Sequence, residues 1–331
     1  YDSLVYSGYS TAIDVLISGA GSNGFAGTSA GVSGFSNIDQ VVGSTLTDSL
    51  TGTNDDATFE VDGTNRYIIG SYGLDFSSLE NLNGDSGVDT FVVGGAQTNN
   101  LFGHAGNDTF IFGNAAVLTG SINAGIGSDT LNLSNYLSGR SVQLTGLGSS
   151  DGFNGTTAIV TGGFENINSL VGSNAGGDTL TGVNAPSTFD LTAAIYQSGN
   201  SLNYVGFENL TGGSNSDTFL INGNIAANLN GGAGADEFIF SDTYQLTGGI
   251  QGGIGTDTLN YHDYNAPVTV NFALGTATAV SGSIGGMENF IGSATFSNTV
   301  YGDDNDNILV GGPSNDTLIG GKGNDTYVFG D

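Results

Sequence analysis

Near the end of the chain Asp316 and Asp325 stand nine residues apart in GGPSNDTLIGGKGNDTYVFGD (311–331), each preceded by glycine and followed by a short apolar run. A carboxylate on a glycine-rich turn is a ligand for a hard cation. Calcium takes six to eight oxygens at about 2.3–2.6 Å, drawn from carboxylates and backbone carbonyls. Glycine allows the positive φ that aims carbonyls at one point, and the apolar residues that follow anchor the turn on a core. The same arrangement recurs upstream. Asp89, Asp108 and Asp129 lie in GDSGVDTF, GHAGNDTF and GIGSDTL; Asp217, Asp236 and Asp257 lie in GGSNSDTF, GGAGADEF and GIGTDTL, each 128 positions further on.

These aspartates need elements that bring them together. Within each trio the spacing is 19 and then 21 residues, about one coil of a narrow solenoid. After each aspartate comes an alternating strand: Phe110 and Phe112, Leu131 and Leu133, Phe238 and Phe240, Leu259 and Tyr261. A period of two sends these side chains inward, coil upon coil, as the core. Nine residues before Asp89 and Asp217 stand Glu80 and Glu208, which fall on the opposite edge of the coil; that edge then continues through the neutral Asn99 and Gly120. For Glu80, Glu208, Glu165 and Glu288 of the recurring Glu-Asn pair, a hydrogen bond to a neighbouring turn is favoured over an ion-ligand role.

A longer repeat encloses the shorter one. FSNIDQVVGS at 35 returns as FENINSLVGS at 164 and MENFIGS at 287, which divides the chain into 1–34, 35–163, 164–286 and 287–331 along one continuous solenoid. The opening YDSL fits the SDTL around Asp129, so the chain reads as a fragment of a longer array. The segments 62–78 and 190–206 lie between turns and are expected to bulge as loops or short hairpins.

Composition agrees with this architecture. The 331 residues hold 58 glycines, 3 prolines and no cysteine, so short strands joined by glycine turns are favoured over helices, and neither disulfides nor thiolate sites hold the fold. Against 32 acidic residues stand only Arg66, Arg140 and Lys322, a formal charge of −29. Such a surface repels nucleic acid and anionic membranes and calls for multivalent cations. No apolar run is long enough to insert in a membrane.

At its C-terminal end the sequence resembles the RTX family of calcium-binding proteins, whose nonapeptide reads G-G-x-G-x-D-x-U-x. GGKGNDTYV (320–328) matches every fixed position except Tyr327; GGPSNDTLI (311–319) has Ser314 for a glycine; GDDNDNILV (302–310) has Asn307 for the aspartate. The resemblance implies a right-handed parallel β-solenoid of the β-roll type, with calcium between turns on the same edge, Asp316 sharing an edge with Asn298 and Asp325 with Asn307. It also implies secretion, with calcium ordering the chain outside the cell. The expected metal ligands are therefore Asp89, Asp108, Asp129, Asp217, Asp236, Asp257, Asn307, Asp316 and Asp325. At about 20 residues per coil and about 4.8 Å per coil, roughly sixteen coils make a rod of roughly 80 Å.

The reading is an all-β, calcium-stabilised structural rod of an extracellular surface protein, joined end to end with adjoining repeats or further copies. Two rivals compete. The outward row Thr90, Thr109, Thr130, Thr218 and Thr258, interrupted by Glu237, suits an ice- or glycan-binding face, although threonine also simply suits an exposed strand. A β-helix polysaccharide-degrading enzyme would need a basic group beside several acids in a cleft, which three scattered basic residues disfavour. His262 and Asp263 are adjacent on a strand and face opposite ways, and the only other histidine, His104, lies in a glycine turn. The tyrosines Tyr1, Tyr6, Tyr9, Tyr136, Tyr196, Tyr204 and Tyr244 form no aligned groove.

Overall fold

Strand follows strand at a spacing set by the turns, and each pairs with the equivalent strand of the next coil. The computed structural model describes residues 1–329, and among them there is no helix. The chain divides into two compact units, Tyr1–Gly176 and Gly177–Asp331.

In the first unit Thr58–Val61, Thr90–Val93, Thr109–Phe112 and Thr130–Asn132 run parallel, with Thr58, Thr90, Thr109 and Thr130 in register. Facing them, Ser49–Thr51, Asn81–Asn83, Asn100–Phe102 and Ile122–Asn123 form a second parallel ladder. In the second unit Ser187–Asp190, Asp217–Ile221, Glu237–Phe240, Thr258–Asn260 and Asn289–Ile291 repeat the first ladder. Each unit is thus the parallel β-solenoid predicted from the alternating pattern.

The inward positions stack like with like. Phe59, Phe91 and Phe110 lie with ring centroids 4.8 and 5.0 Å apart and planes within 9°. Phe189, Phe219 and Phe238 repeat this at 4.8 and 4.9 Å. These separations equal the spacing of paired strands, so one aromatic per coil fills the core without a gap. Leu82, Leu101 and Ile122 close it from the other sheet, all fully buried.

The regular coil is 19 or 21 residues, as Thr90 to Thr109 and Thr109 to Thr130 show. Other coils are longer: 32 residues separate Thr58 from Thr90 and 39 separate Thr130 from Ser169. The extra residues are hairpins whose strands join the sheets instead of bulging from them. Arg66–Ile69 pairs antiparallel with Thr58–Val61 and with Tyr72–Ser77, which in turn lies parallel to Gln40–Val42. In the second unit Ile195–Ser198 and Asn200–Val205 make the equivalent hairpin against Ser187–Asp190. Ser141–Leu147, Phe153–Thr157 and Val160–Ile167 insert in the facing sheet of the first unit. No helix is long and apolar enough to cross a membrane among the described residues.

Candidate metal centre

Each ladder aspartate occupies the sixth position of a turn that opens on a small residue: Gly84 for Asp89, Gly103 for Asp108, Ala124 for Asp129, Gly231 for Asp236 and Gly252 for Asp257. It is the last residue before the strand and points inward. Asp89, Asp108, Asp129 and Asp257 are 0% exposed, and Asp217 and Asp236 1%. The first turn residue is held to a small size because a Cβ on Gly84, Gly103, Gly231 or Gly252 would fall on the Oδ2 of its own aspartate. The turns also stack closely, since a Cβ on Gly127 would strike the carbonyl oxygen of Gly106 and one on Gly255 that of Gly234.

The structure brings the predicted aspartates into two ladders, linked side chain to backbone. The N–H of Asp89 donates to Asp108 Oδ1 (2.8 Å) and that of Asp108 to Asp129 Oδ1 (2.8 Å). In the second unit the N–H of Asp217 donates to Asp236 Oδ1 (2.8 Å) and that of Asp236 to Asp257 Oδ1 (2.9 Å). Asp316 accepts from the N–H of Asn298 (2.7 Å) and Asp325 from that of Asn307 (3.0 Å), the edge-sharing pairs expected from the nine-residue spacing.

One oxygen of each carboxylate is thereby used, and the other separates two kinds of turn. In Asp89, Asp108, Asp129, Asp236 and Asp257 the Oδ2 is buried with no hydrogen-bond partner. In these open turns the second residue is left-handed, with φ of 84° at Asp85, 70° at His104, 99° at Gly125, 98° at Gly232 and 116° at Gly253. In the capped turns the second residue's N–H reaches back to the sixth side chain instead: Ser44 to Asp48 Oδ2, Gly213 to Asp217 Oδ2 (2.6 Å) and Asp303 to Asn307 Oδ1 (3.0 Å). Asp217 and Asn307 therefore sit with the others on their edges but already have the donor the open turns lack.

An unpartnered buried carboxylate oxygen is costly, and the titration behaviour reflects it. Burial, reinforced by the charge of Asp108, pushes Asp89 up to about 7. Burial pushes Asp129 up to about 7 and Asp108 and Asp236 up to about 6, and it raises Asp217 and Asp257 as well. A divalent cation beside Oδ2 removes both costs. A donor set of hard oxygens is of the kind calcium takes, and Asp89, Asp108, Asp129, Asp236 and Asp257 are the residues that would hold it. Among the described residues no three His, Asp or Glu side chains cluster as a metal-holding group, so an ion here would need further oxygens, such as the backbone carbonyls of the turns.

The ladders end on other side chains. Asp257 donates its N–H to Glu288 Oε2 (2.8 Å); on the facing edge Asp48 donates likewise to Glu80 Oε2 (2.8 Å) and Asp178 to Glu208 Oε2 (2.9 Å), so three of these glutamates do hydrogen-bond to the adjoining turn. Glu165 Oε2 instead accepts from Asn123 Nδ2 (3.2 Å). Asp129 finds Asn168 Oδ1 (3.1 Å), while Asp151, from the inserted hairpin, folds over the same turn and accepts from the Gly127 N–H (3.1 Å). Asp151 escaped sequence reasoning because GSSDGFNG carries no repeat signature.

The remaining chemical suspects resolve simply. His262 and Asp263 lie in a turn and not on a strand, and their exposed side chains approach to 3.8 Å instead of facing opposite ways. Arg66 pairs with Asp75 across its hairpin at 3.5 Å, and Arg140 lies over the Tyr136 ring at 4.6 Å. Tyr6, Tyr136, Tyr196 and Tyr204 are buried core residues.

No curated protein matches the chain. Among protein families, the RTX calcium-binding nonapeptide repeat matches in four copies, over residues 83–115 and 295–331. The first segment holds the open turns of Asp89 and Asp108, and the second holds the capped turn of Asn307 and the turns of Asp316 and Asp325. In those two segments the chain carries RTX calcium-binding nonapeptide repeats, a motif that binds Ca2+.

Proposed function

We propose that the chain is a calcium-stiffened structural rod of a large secreted surface protein, an adhesin, surface-layer or filament component, with no catalytic role. The observation that carries this reading is the row of buried, unpartnered Oδ2 atoms on consecutive coils. A carboxylate repeated once per coil, with no basic group beside it, is suited to a line of cations and to little else. Calcium bound along the rows cancels part of the −29 charge and ties coil to coil, which is what a rod under load requires. Outside the cell calcium is plentiful, so the extracellular surface is where such a rod is stiff. Adjoining repeats or further copies extend it end to end.

The test is circular dichroism, melting and calcium titration of the chain with and without chelator. A rise in melting temperature with calcium, and a stoichiometry of several ions per chain, are expected. Unchanged melting after complete calcium removal defeats the reading.

A second reading is favoured by one observation, the in-register row Thr58, Thr90, Thr109 and Thr130 on an outward sheet face. If that face binds ice or a flat glycan, Thr109→Tyr and Thr130→Tyr abolish adsorption while leaving calcium uptake intact.

A further inference from the structure

Two turns on the acidic edges carry neither an acid nor an amide at the sixth position. The turn opening on Gly52 has Ala57 there, and the turn opening on Gly182 has Ser187. Each is a direct neighbour of a ladder aspartate: the Ala57 N–H donates to Asp89 Oδ1 (3.0 Å) and Ser187 Oγ to Asp217 Oδ1 (2.5 Å). Without a carboxylate, the N–H of the second turn residue would be buried with no acceptor. In both turns a tyrosine supplies one. The Thr53 N–H donates to Tyr67 Oη (2.9 Å) and the Val183 N–H to Tyr196 Oη (2.8 Å).

The phenol oxygen stands in the carboxylate's place. A Cβ on Gly52 or Gly182 would crowd the tyrosine oxygen, at 2.7 and 2.9 Å, just as one on Gly103 or Gly231 would crowd an aspartate Oδ2. Each tyrosine arrives on the hairpin inserted after its turn. Each is fully buried, its ring 4.7 Å from Phe59 or 4.8 Å from Phe189. Burial raises the pKa of both, so the oxygen that replaces a charged group is itself neutral.

A third turn reaches the same end by other means. Asn298 Oδ1 accepts the Ser293 N–H (3.0 Å), as a capping carboxylate does. Its Nδ2 is surrounded by four oxygens, Ser293 O (3.3 Å), Phe296 O (3.1 Å), Gly311 O (2.8 Å) and Asp316 Oδ1 (2.9 Å). Three carbonyls and one carboxylate converging on one centre resemble the oxygen shell of a hard cation, filled here by an amide nitrogen.

We propose that Tyr67, Tyr196 and Asn298 determine which turns take calcium, by supplying without charge what an aspartate and its ion supply elsewhere. The inference rests on the calcium reading of the open turns. It makes the turns 52–57, 182–187 and 292–298 metal-independent, and the first two are rigid platforms beside the metal-dependent ladders.

The test combines calorimetric calcium stoichiometry with melting in calcium and in chelator. Tyr67→Phe and Tyr196→Phe keep the ring and remove only the oxygen. Each is expected to lower the melting temperature by a few degrees, equally in both conditions, with no change in bound calcium. Restoring an acid, in the double variant Ala57→Asp with Tyr67→Phe, or in Asn298→Asp, is expected to add one ion per chain. A stability loss seen only in calcium, or a loss of one ion in Tyr67→Phe, makes the phenol a ligand and overturns the proposal. So does a harmless Tyr67→Phe, or an unchanged ion count in both acid-restoring variants. Absence of calcium uptake by the unmodified chain, measured alongside, overturns the calcium reading itself and this proposal with it.

Discussion

The backbone N–H of Asp89 and the Oδ1 of Asp108 lie 2.8 Å apart, one coil from each other, and this bond leaves Asp108 Oδ2 buried with no partner. One carboxylate thus does two jobs. It spans coils through one oxygen and exposes the other to whatever cation enters the turn.

Asp108→Asn separates those jobs, because the amide oxygen still accepts the Asp89 N–H while the charge is gone. In chelator at pH 8 the variant is expected to be more stable than the parent. The gain is on the order of 2–3 kcal/mol, from a carboxyl held at about 6 against an ordinary value near 3.9. In calcium it is expected to be less stable and to bind fewer ions. Paired melts with and without chelator check the reversal; a variant less stable in both conditions counts against it.

The calcium-free chain should be stabilised by mild acid. Asp89 and Asp129 at about 7, and Asp108 and Asp236 at about 6, bind protons in the folded state that the unfolded chain binds only near pH 4. Stability therefore rises as pH falls from about 7.5 towards 4, the opposite of an ordinary salt-bridged aspartate. Calcium needs the ionised form, so its stabilisation should fade over the same window. Melting in chelator from pH 8 to 5 tests the sign, and a flat or falling curve on acidification refutes it.

Close stacking of the turns makes a matched pair of glycine substitutions informative. Gly127→Ala places a methyl on the Gly106 carbonyl and is expected to cost about 1–3 kcal/mol or more, whereas Gly146→Ala enters open space and should be near neutral. Denaturant unfolding of both variants decides it.

Phe91 is the middle ring of a three-ring stack, and Phe91→Ala is expected to cost about 3–5 kcal/mol in calcium and in chelator alike. A loss confined to calcium would tie the ring to the ion sites instead of the core.

Much of this was legible because it is periodic. The 19- and 21-residue spacings place Asp89, Asp108 and Asp129 in one row, and the alternation of Phe110 and Phe112 points to the core; both follow from a coil that contacts only its neighbours. What escaped is non-periodic. The hairpins around Tyr67 and Tyr196 join the sheet because their strands complete its hydrogen bonding, and nothing in their local pattern announces that the phenols reach back 14 and 13 residues to close a turn. The contrast between Asp89 and Asp217 was equally hidden. Both precede Thr-Phe in near-identical stretches, yet Asp85 is left-handed and the Gly213 N–H turns in to bond Asp217.

Within each unit the links made by the ladder aspartates run the same way, from the N–H of one coil to the side chain of the next: from Asp89 to Asp108 to Asp129, and from Asp217 to Asp236 to Asp257. Each ladder consequently has polarity. Cut between two of its turns, a ladder leaves an amide donor on one side and a carboxylate acceptor on the other, two ends that are unlike and complementary.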